Sequence, residues 1–166
     1  LLGVIVSSYI FAKKNNQNPF FYLDQVSLVA PVGIFFGRLA NFINSELYGT
    51  TSDVPWSVIF IKVANLSRHP SQLYEAALEG IILYIVMTYL IFRRDWFKVP
   101  GQIIGVFFIG YGLARVIVEG YRQADLQFIS IDNPFGYIIR FNELGLTMGQ
   151  TLSLPMVFIG MAIIYI

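Results

Sequence analysis

The sequence predicts an all-α polytopic membrane protein, a bundle of transmembrane helices that carries a small head formed by its loops. Charged residues make up 13% of the 166 residues and hydrophobic residues 56%, whereas about 25% of a soluble domain is usually charged. Four apolar segments also reach the ~20 residues that a helix needs to cross a bilayer. They should be helices, because backbone exposed to lipid has no water to bond.

The predicted spans follow directly from these apolar segments. Full spans are expected at residues 23–44, 73–92, 101–119 and 148–166, and the apolar run at 1–12 is too short to be more than part of a fifth. We therefore expect residues 1–166 to form a single transmembrane domain, a fragment whose N-terminus is missing. Glycines inside the spans favour close packing between helices.

Basic residues in the short loops predict the orientation of the bundle. Loops rich in Lys and Arg usually stay on the cytoplasmic side. The two longer connections, 45–72 and 120–147, would then face outward and form the head. The basic residues are Lys13 and Lys14 after the first run, and Arg93, Arg94 and Lys98 between the second and third full spans.

Composition also excludes several classes of protein. The chain has no cysteine, so it has no disulfide and no thiol nucleophile of its own. Its net charge is +1 and its basic residues are dispersed, so no nucleic-acid partner is expected. A single histidine and no cysteine predict that the chain has no metal site. The sequence contains no Gly-rich nucleotide-binding loop, so no cofactor is expected.

Arg38 is the residue that most needs an explanation, because an ionisable side chain inside a membrane costs at least ~2.5–3.5 kcal/mol. If its helix continues, Asn41, Ser45 and Tyr48 fall on the same face and form a polar stripe toward the bundle interior. Alternatively, Arg38 bonds carbonyls at a helix end or extends its head group to the membrane interface.

A second polar face lies on the third full span. Tyr111, Arg115, Glu119 and Arg122 follow i, i+4, i+8 and i+11 spacing. The predicted topology brings Arg38 and Arg115 to the same leaflet depth, where two guanidinium groups would bind a phosphate well. The alternative is that Arg115 and Glu119 only neutralise each other as an i, i+4 pair.

A third group follows Pro70, which suits the start of a helix. Gln72, Glu75 and Glu79 share i, i+3, i+7 spacing on that helix, although Glu75 near the helix start also has a purely structural interpretation. His69 suits acid–base chemistry or hydrogen bonding at the helix entry equally well.

Four motifs together resemble the bacterial prolipoprotein diacylglyceryl transferase family. They are GRLANFINSELYG at 37–49, RHPSQLYE at 68–75, GYGLARVIVEGYRQAD at 110–125 and MGQ at 148–150. The resemblance spans nearly the whole chain. It implies an enzyme of the bacterial cytoplasmic membrane whose active site faces the outer leaflet.

The resemblance implies the reaction and the partners. A diacylglyceryl group would move from phosphatidylglycerol to the lipobox cysteine thiol of a preprolipoprotein signal peptide, which leaves a thioether and glycerol phosphate. The substrate would thus supply the thiol that this chain lacks. A different class also remains open, a non-enzymatic transporter or channel subunit that binds anionic phospholipid.

The resemblance also implies roles for individual residues. Arg38 and Arg115 would bind phosphatidylglycerol and act in catalysis. The predicted catalytic set is Arg38, Arg115, Glu119, Glu46 and Tyr111, and the predicted substrate-binding set is Arg38, Asn41, Asn44, Gly49, His69, Gln72, Glu75 and Arg122.

This sequence departs from the family pattern in a few places. Ala40 and Ser45 stand where glycine is common, and Tyr48 stands where tryptophan is frequent. The family's HGG histidine would fall just before Leu1. The resemblance therefore implies that the chain lacks this histidine and the N-terminal helices, and we expect it to be inactive alone. The general base is left open among that histidine, Glu119, Glu46 and His69.

Overall fold

The computed structural model describes residues 2–124, 126–141 and 144–165 and shows a helical bundle. Within that part of the chain, four helices are long and apolar enough to cross a membrane, which confirms the predicted all-α polytopic class. The helices are α1 (Leu2–Lys14), α2 (Pro19–Asn44), α3 (Ser71–Arg94), α4 (Gln102–Glu119) and α5 (Met148–Tyr165), of which α2 to α5 are the candidate spans.

Local sequence signals explain where α2 begins and ends. The Asn18 side chain accepts a hydrogen bond from the Phe20 N–H at 2.9 Å, and Pro19 occupies the first helical position. At the other end Ser45 adopts a left-handed conformation with φ 63°, and the Glu46 N–H bonds the Asn41 carbonyl. Helix α2 therefore ends at Asn44, and the prediction that Ser45 and Tyr48 continue its polar stripe is wrong.

Helix α3 changes its winding in its first half. Residues Ser71–Glu75 and Leu83–Arg94 are α-helical, whereas the Ala76–Ile82 segment between them is a π-helix. Gly80 in this segment lies against Phe35 of α2, where a Cβ atom would come within 2.8 Å of the Phe35 Cβ. π-Helical turns of this kind occur frequently at functional sites.

Glycines bring α4 and α5 into close contact, as their position in the spans predicted. A Cβ on Gly160 would lie 2.6 Å from the Gly105 carbonyl oxygen, and one on Gly112 would lie 2.9 Å from the Ser153 carbonyl oxygen. Gly33 differs, because within the described residues no atom beyond its chain neighbours and its own helical backbone lies within 4 Å of its Cβ position. Close packing is therefore confirmed between α4 and α5 and wrong for Gly33.

Both connections expected in the head lie at the same end of the bundle and are joined by backbone hydrogen bonds. Thr50 donates to the Tyr121 carbonyl at 3.0 Å, and Gln123 donates to the Tyr48 carbonyl at 3.2 Å. Each connection also contains a small antiparallel hairpin that the sequence did not predict. The strands are β1 (Val58–Ile59) with β2 (Ser67–Arg68), and β3 (Ile139–Phe141) with β4 (Leu144–Leu146).

The basic loops share the opposite end, where Asp24 joins two helices. Asp24 is buried in α2, and its carboxylate accepts hydrogen bonds from the Gly101 N–H at 2.7 Å and the Ile104 N–H at 2.8 Å. It therefore satisfies two of the free N–H groups at the start of α4. This contact places the loop after Lys14 and the loop before Gly101 at the same end, as the charge pattern requires.

We predict that Asp24→Ala destabilises the bundle measurably. Leaving buried donors unpaired costs about 1–3 kcal/mol, so the thermal unfolding temperature in detergent should fall. The matched control is Asp95→Asn, because Asp95 pairs with Lys98 at a position where both side chains are at least 70% exposed. Equal unfolding temperatures for the two variants would contradict the role of Asp24.

Candidate active site

Arg38 of α2 binds two buried carboxylates of α3. Its Nη1 lies 3.2 Å from Glu75 Oε2, and its Nη2 lies 3.3 Å from Glu79 Oε2. Both glutamate side chains are fully buried, whereas the Arg38 side chain is 17% exposed. Arg38 is thus paired through both terminal nitrogens, and neither structural alternative proposed for it, carbonyl bonding or extension to the interface, describes its principal contacts.

Arg115 of α4 approaches the same carboxylates from another helix. Its Nη1 is hydrogen-bonded to Glu75 Oε1, and the same nitrogen lies 3.9 Å from Glu79 Oε1. Glu75 therefore bridges the two arginines, one with each oxygen. The prediction that two separate helices deliver arginines to one depth is confirmed by this shared partner.

Glu119 and Arg122 extend the network toward the head. Glu119 Oε2 lies 3.2 Å from Arg115 Nη2 and 3.8 Å from Arg122 Nη1. The Thr147 hydroxyl donates to the other Glu119 oxygen at 3.0 Å. The predicted i, i+4 pair between Arg115 and Glu119 therefore exists, but it is one part of a larger network. Helix α4 ends at Glu119, so Arg122 joins that network from the connection that follows the helix.

These side chains form a compact cluster in which opposite charges balance. We call it the arginine–glutamate cluster. A buried charge is costly without a partner, and removing one member of such a pair is usually strongly destabilising. The alternating arrangement across α2, α3 and α4 therefore explains how the bundle tolerates so many ionised groups. Its members are Arg38, Arg115 and Arg122 with Glu75, Glu79 and Glu119.

A cavity of about 320 Å³ opens beside this cluster, and we call it the arginine cavity. Its polar wall comes from α2, α4 and the residues just after α4, and its apolar wall largely from α5, so it suits a ligand with an anionic head and an apolar body. The completely buried Glu75 and Glu79 lie behind the arginines and do not line it. The polar wall includes Arg38, Tyr111, Arg115, Glu119 and Arg122, and the apolar wall includes Met148, Leu152 and Met156.

Most of the remaining predicted binding residues connect α2 to α3 and do not line the arginine cavity. The buried Gln72 side chain donates to the Glu46 carbonyl at 2.6 Å, and the Gly49 N–H donates to the His69 carbonyl at 3.0 Å. The Asn44 and Glu46 side chains are exposed, and Asn41 is half-buried. In the part of the chain that the structure describes, these residues thus neither line the arginine cavity nor hydrogen-bond to Arg38 or Arg115.

His69 lies in a separate apolar groove of about 580 Å³. Trp56 Nε1 donates to the Tyr74 hydroxyl at 2.7 Å, and this hydroxyl lies 3.1 Å from His69 Nδ1. Because indole can only donate, the Tyr74 hydroxyl accepts from Trp56 and keeps its own proton available for a hydrogen bond to His69 Nδ1. His69 therefore takes part in a hydrogen-bonded aromatic group away from the arginine cavity.

Sequence reasoning omitted three contributors to the site. Glu79 was placed on the correct helix face but was not selected as a site residue, although it is four residues from Glu75. Thr147 and Gly149 were also missed. A Cβ atom on Gly149 would overlap the Glu119 carboxylate, so only glycine leaves room for that carboxylate in its present position. The MGQ motif at 148–150 was the available signal for this region.

The fold and the site define a multi-pass membrane protein that holds a charge-balanced arginine–glutamate cluster beside a cavity at one end of its bundle. A family model described as prolipoprotein diacylglyceryl transferase matches residues 1–166. The chain belongs to this family, which confirms the resemblance carried by the four motifs.

Curated relatives named phosphatidylglycerol–prolipoprotein diacylglyceryl transferase agree with this assignment. The protein from Ruegeria pomeroyi is 46% identical over 170 residues, which cover 97% of this chain and 58% of the relative. The one from Rhodospirillum rubrum is 46% identical, with 98% and 56% covered, and the one from Rhizobium meliloti is 45% identical, with 96% and 54% covered. The chain thus spans little more than half the length of these relatives.

Proposed function

We propose that the complete protein carrying this chain transfers a diacylglyceryl group from phosphatidylglycerol to the lipobox cysteine thiol of a preprolipoprotein. Family membership and the names of the curated relatives support this activity. The observation that carries the proposal is the convergence of Arg38 and Arg115 on one cavity with an apolar wall. Guanidinium groups bind phosphate oxygens well, and the apolar wall suits the diacylglyceryl portion.

The proposed reaction is a substitution at carbon. The substrate thiolate sulfur attacks the carbon of the diacylglyceryl group that bears the phosphate oxygen. The C–S bond forms at this carbon, and its C–O bond to the phosphate breaks. Glycerol phosphate leaves with the electron pair of that bond, while the thiol proton passes to a general base. Arg38 and Arg115 would stabilise the negative charge that develops on the departing phosphate oxygen.

Glu119 is the general base that we favour among the candidates within the described residues. Its carboxylate lines the arginine cavity, whereas His69 lies in the separate apolar groove and the Glu46 side chain is exposed in the head. A base must come within hydrogen-bonding reach of the proton that it removes. The histidine of the HGG motif that the family resemblance implies is the other candidate.

We also propose that the site faces the outer leaflet of the bacterial cytoplasmic membrane. The arginine–glutamate cluster lies at the head end of α4, at Glu119, and the basic loops lie at the opposite end. The positive-inside rule places those loops in the cytoplasm. The cluster would then meet phospholipid headgroups and the exported part of a signal peptide.

The test is mass spectrometry of a synthetic lipobox peptide incubated with phosphatidylglycerol vesicles and membranes that contain the complete protein. The expected result is a mass gain of one diacylglyceryl group on the cysteine, with release of glycerol phosphate. A peptide with serine in place of that cysteine is the matched control and should gain no mass. Binding of phosphatidylglycerol without any peptide modification would instead support a non-enzymatic lipid-binding protein.

A further inference from the structure

We propose that the Glu119 carboxylate competes with the phosphate group of the ligand for Arg115 and Arg122. The carboxylate occupies the cavity-facing side of these arginines until a ligand displaces it. This inference rests on the proposed function, because it concerns how the same site takes up an anionic headgroup and releases an anionic product. It assigns Glu119 a role in ligand binding that is separate from proton transfer.

The three carboxylates of the cluster differ in where they lie. Glu75 and Glu79 are completely buried behind the arginines, and their side chains are 0% exposed. Glu119 is 7% exposed and lines the arginine cavity. Of these three, Glu119 is therefore the carboxylate that a ligand in the cavity meets directly.

The contacts of Arg115 divide between a buried side and a cavity side. Its Nη1 is bound to the buried Glu75, and its Nη2 lies 3.2 Å from Glu119 Oε2. The same Glu119 oxygen lies 3.8 Å from Arg122 Nη1. A phosphate that enters the cavity would bind the same guanidinium groups, so it must compete with the Glu119 carboxylate for them.

Charge balance makes this competition energetically important. The formal charges of three arginines and three glutamates already cancel, so a bound phosphodiester adds one negative charge to this balance near Glu119. The product glycerol phosphate is a monoester, which carries a charge of about −1.5 to −2 near pH 7. Return of Glu119 to the arginines would therefore favour departure of the product.

The structure provides a place for the displaced carboxylate. Glu119 also borders a second cavity of about 390 Å³ on the head side, whose lining includes Thr50, Thr147 and Gln150. In the present position Gly149 leaves room for the carboxylate and the Thr147 hydroxyl holds one of its oxygens, whereas the second cavity offers space on the head side. Glu119 can thus leave the cavity-facing side of Arg115 without entering the apolar interior.

The test measures binding of glycerol phosphate to the complete protein in phosphatidylcholine nanodiscs by titration calorimetry. Glu119→Gln removes the competing charge, so the Kd should fall by roughly two- to fivefold, the range expected for loss of one competing ion pair. Diacylglyceryl transfer by the same variant should fall. Tighter binding with slower transfer separates a competitor from a residue that only maintains the structure, whose loss would weaken both.

The matched control is Asp53→Asn, which removes one negative charge from an exposed position in the head. Its Kd for glycerol phosphate should equal that of the unmodified protein. Unchanged or weaker binding by Glu119→Gln, in a protein that performs transfer, would overturn the inference and leave the proposed function intact. Absence of both transfer and glycerol phosphate binding in the unmodified protein would instead remove the proposed function, and the inference with it.

A second pair of variants tests the same competition between Glu119 and the phosphate if Glu119→Gln does not accumulate in membranes. Thr147→Val removes the hydroxyl that holds Glu119 Oε1 and should tighten glycerol phosphate binding by a smaller factor, whereas Thr147→Ser keeps the hydroxyl and should not. Equal Kd values for the two Thr147 variants would count against the inference.

Discussion

Replacing Arg115 by alanine in the complete protein is expected to lower diacylglyceryl transfer at least 100-fold, and Arg38→Ala should have a similar effect. Both side chains line the arginine cavity, and each is held by carboxylates on its buried side. Removing one preorganised donor to a developing negative charge typically costs about 10²- to 10³-fold in rate. The measurement is the rate of lipobox peptide modification per folded protein, with folding checked by size-exclusion chromatography in detergent.

Lysine variants separate the geometry of these arginines from their charge. Arg38 contacts Glu75 and Glu79 with two different nitrogens, and Arg115 contacts Glu75 and Glu119 in the same manner. Lysine keeps the positive charge but has one nitrogen at its end, so it cannot reproduce a bidentate arrangement. We expect Arg38→Lys and Arg115→Lys to retain the fold better than the alanine variants while transfer remains strongly reduced.

Arg140→Ala is the matched control for both positions. Arg140 is exposed in the head and bonds the Asp132 carbonyl, so its loss should leave transfer close to normal. Transfer near the unmodified rate in both Arg38→Ala and Arg115→Ala would contradict the proposed role of the arginines.

The membrane spans could be predicted because long apolar segments are a strong signal. The last span was expected at 148–166, and α5 runs over Met148–Tyr165. The end of α2 carried no comparable signal. A left-handed residue that ends a helix is usually glycine, whereas here Ser45 takes that conformation. Tyr48 consequently leaves the helix and lies beneath Arg68, whose Cζ is 4.8 Å from the ring centroid.

The two arginines could be predicted as neighbours, but the carboxylates between them could not. Topology alone places Arg38 and Arg115 at one depth. The contacts of Glu75 and Glu79 depend in addition on how α3 is rotated against α2 and α4, and on its π-helical segment. The periodicity of one segment does not contain that information. The periodicity therefore placed Glu79 on the correct helix face but could not show that Arg38 is its partner.

The small hairpins of the head were missed for a simpler reason. Strands β1 and β2 contain two residues each, which is too short for the alternation of polar and apolar residues to be recognised. The backbone bonds that join the head, such as the one from Gly49 to His69, link residues far apart in the sequence. Such pairings follow from the assembled bundle rather than from local propensity.

Glu75→Gln is expected to be the most destabilising single change in the cluster. Glu75 is completely buried and contacts both Arg38 and Arg115, so its neutralisation leaves two guanidinium groups to share the remaining carboxylates. Breaking a buried ion pair by removing one partner typically costs about 3–5 kcal/mol. The thermal unfolding temperature in detergent should therefore fall well below that of the unmodified protein.

The matched substitution for this stability measurement is Glu46→Gln, because the Glu46 side chain is exposed. Its unfolding temperature should stay close to that of the unmodified protein, since surface substitutions usually change stability by no more than about 0.5 kcal/mol. An equally small change in Glu75→Gln would show that the buried network does not stabilise the bundle.

A double substitution then tests whether Glu75 acts through its ion pairs. Combining Glu75→Gln with Arg38→Gln removes one positive and one negative charge and restores the balance of the cluster. If the cost of Glu75→Gln arises from uncompensated positive charge, the double variant should be more stable than the sum of the two single losses predicts. Additive losses would mean that the effect arises from packing around Glu75 instead. A favourable coupling would show that charge balance among buried side chains stabilises the arrangement that presents Arg38 and Arg115 to the cavity.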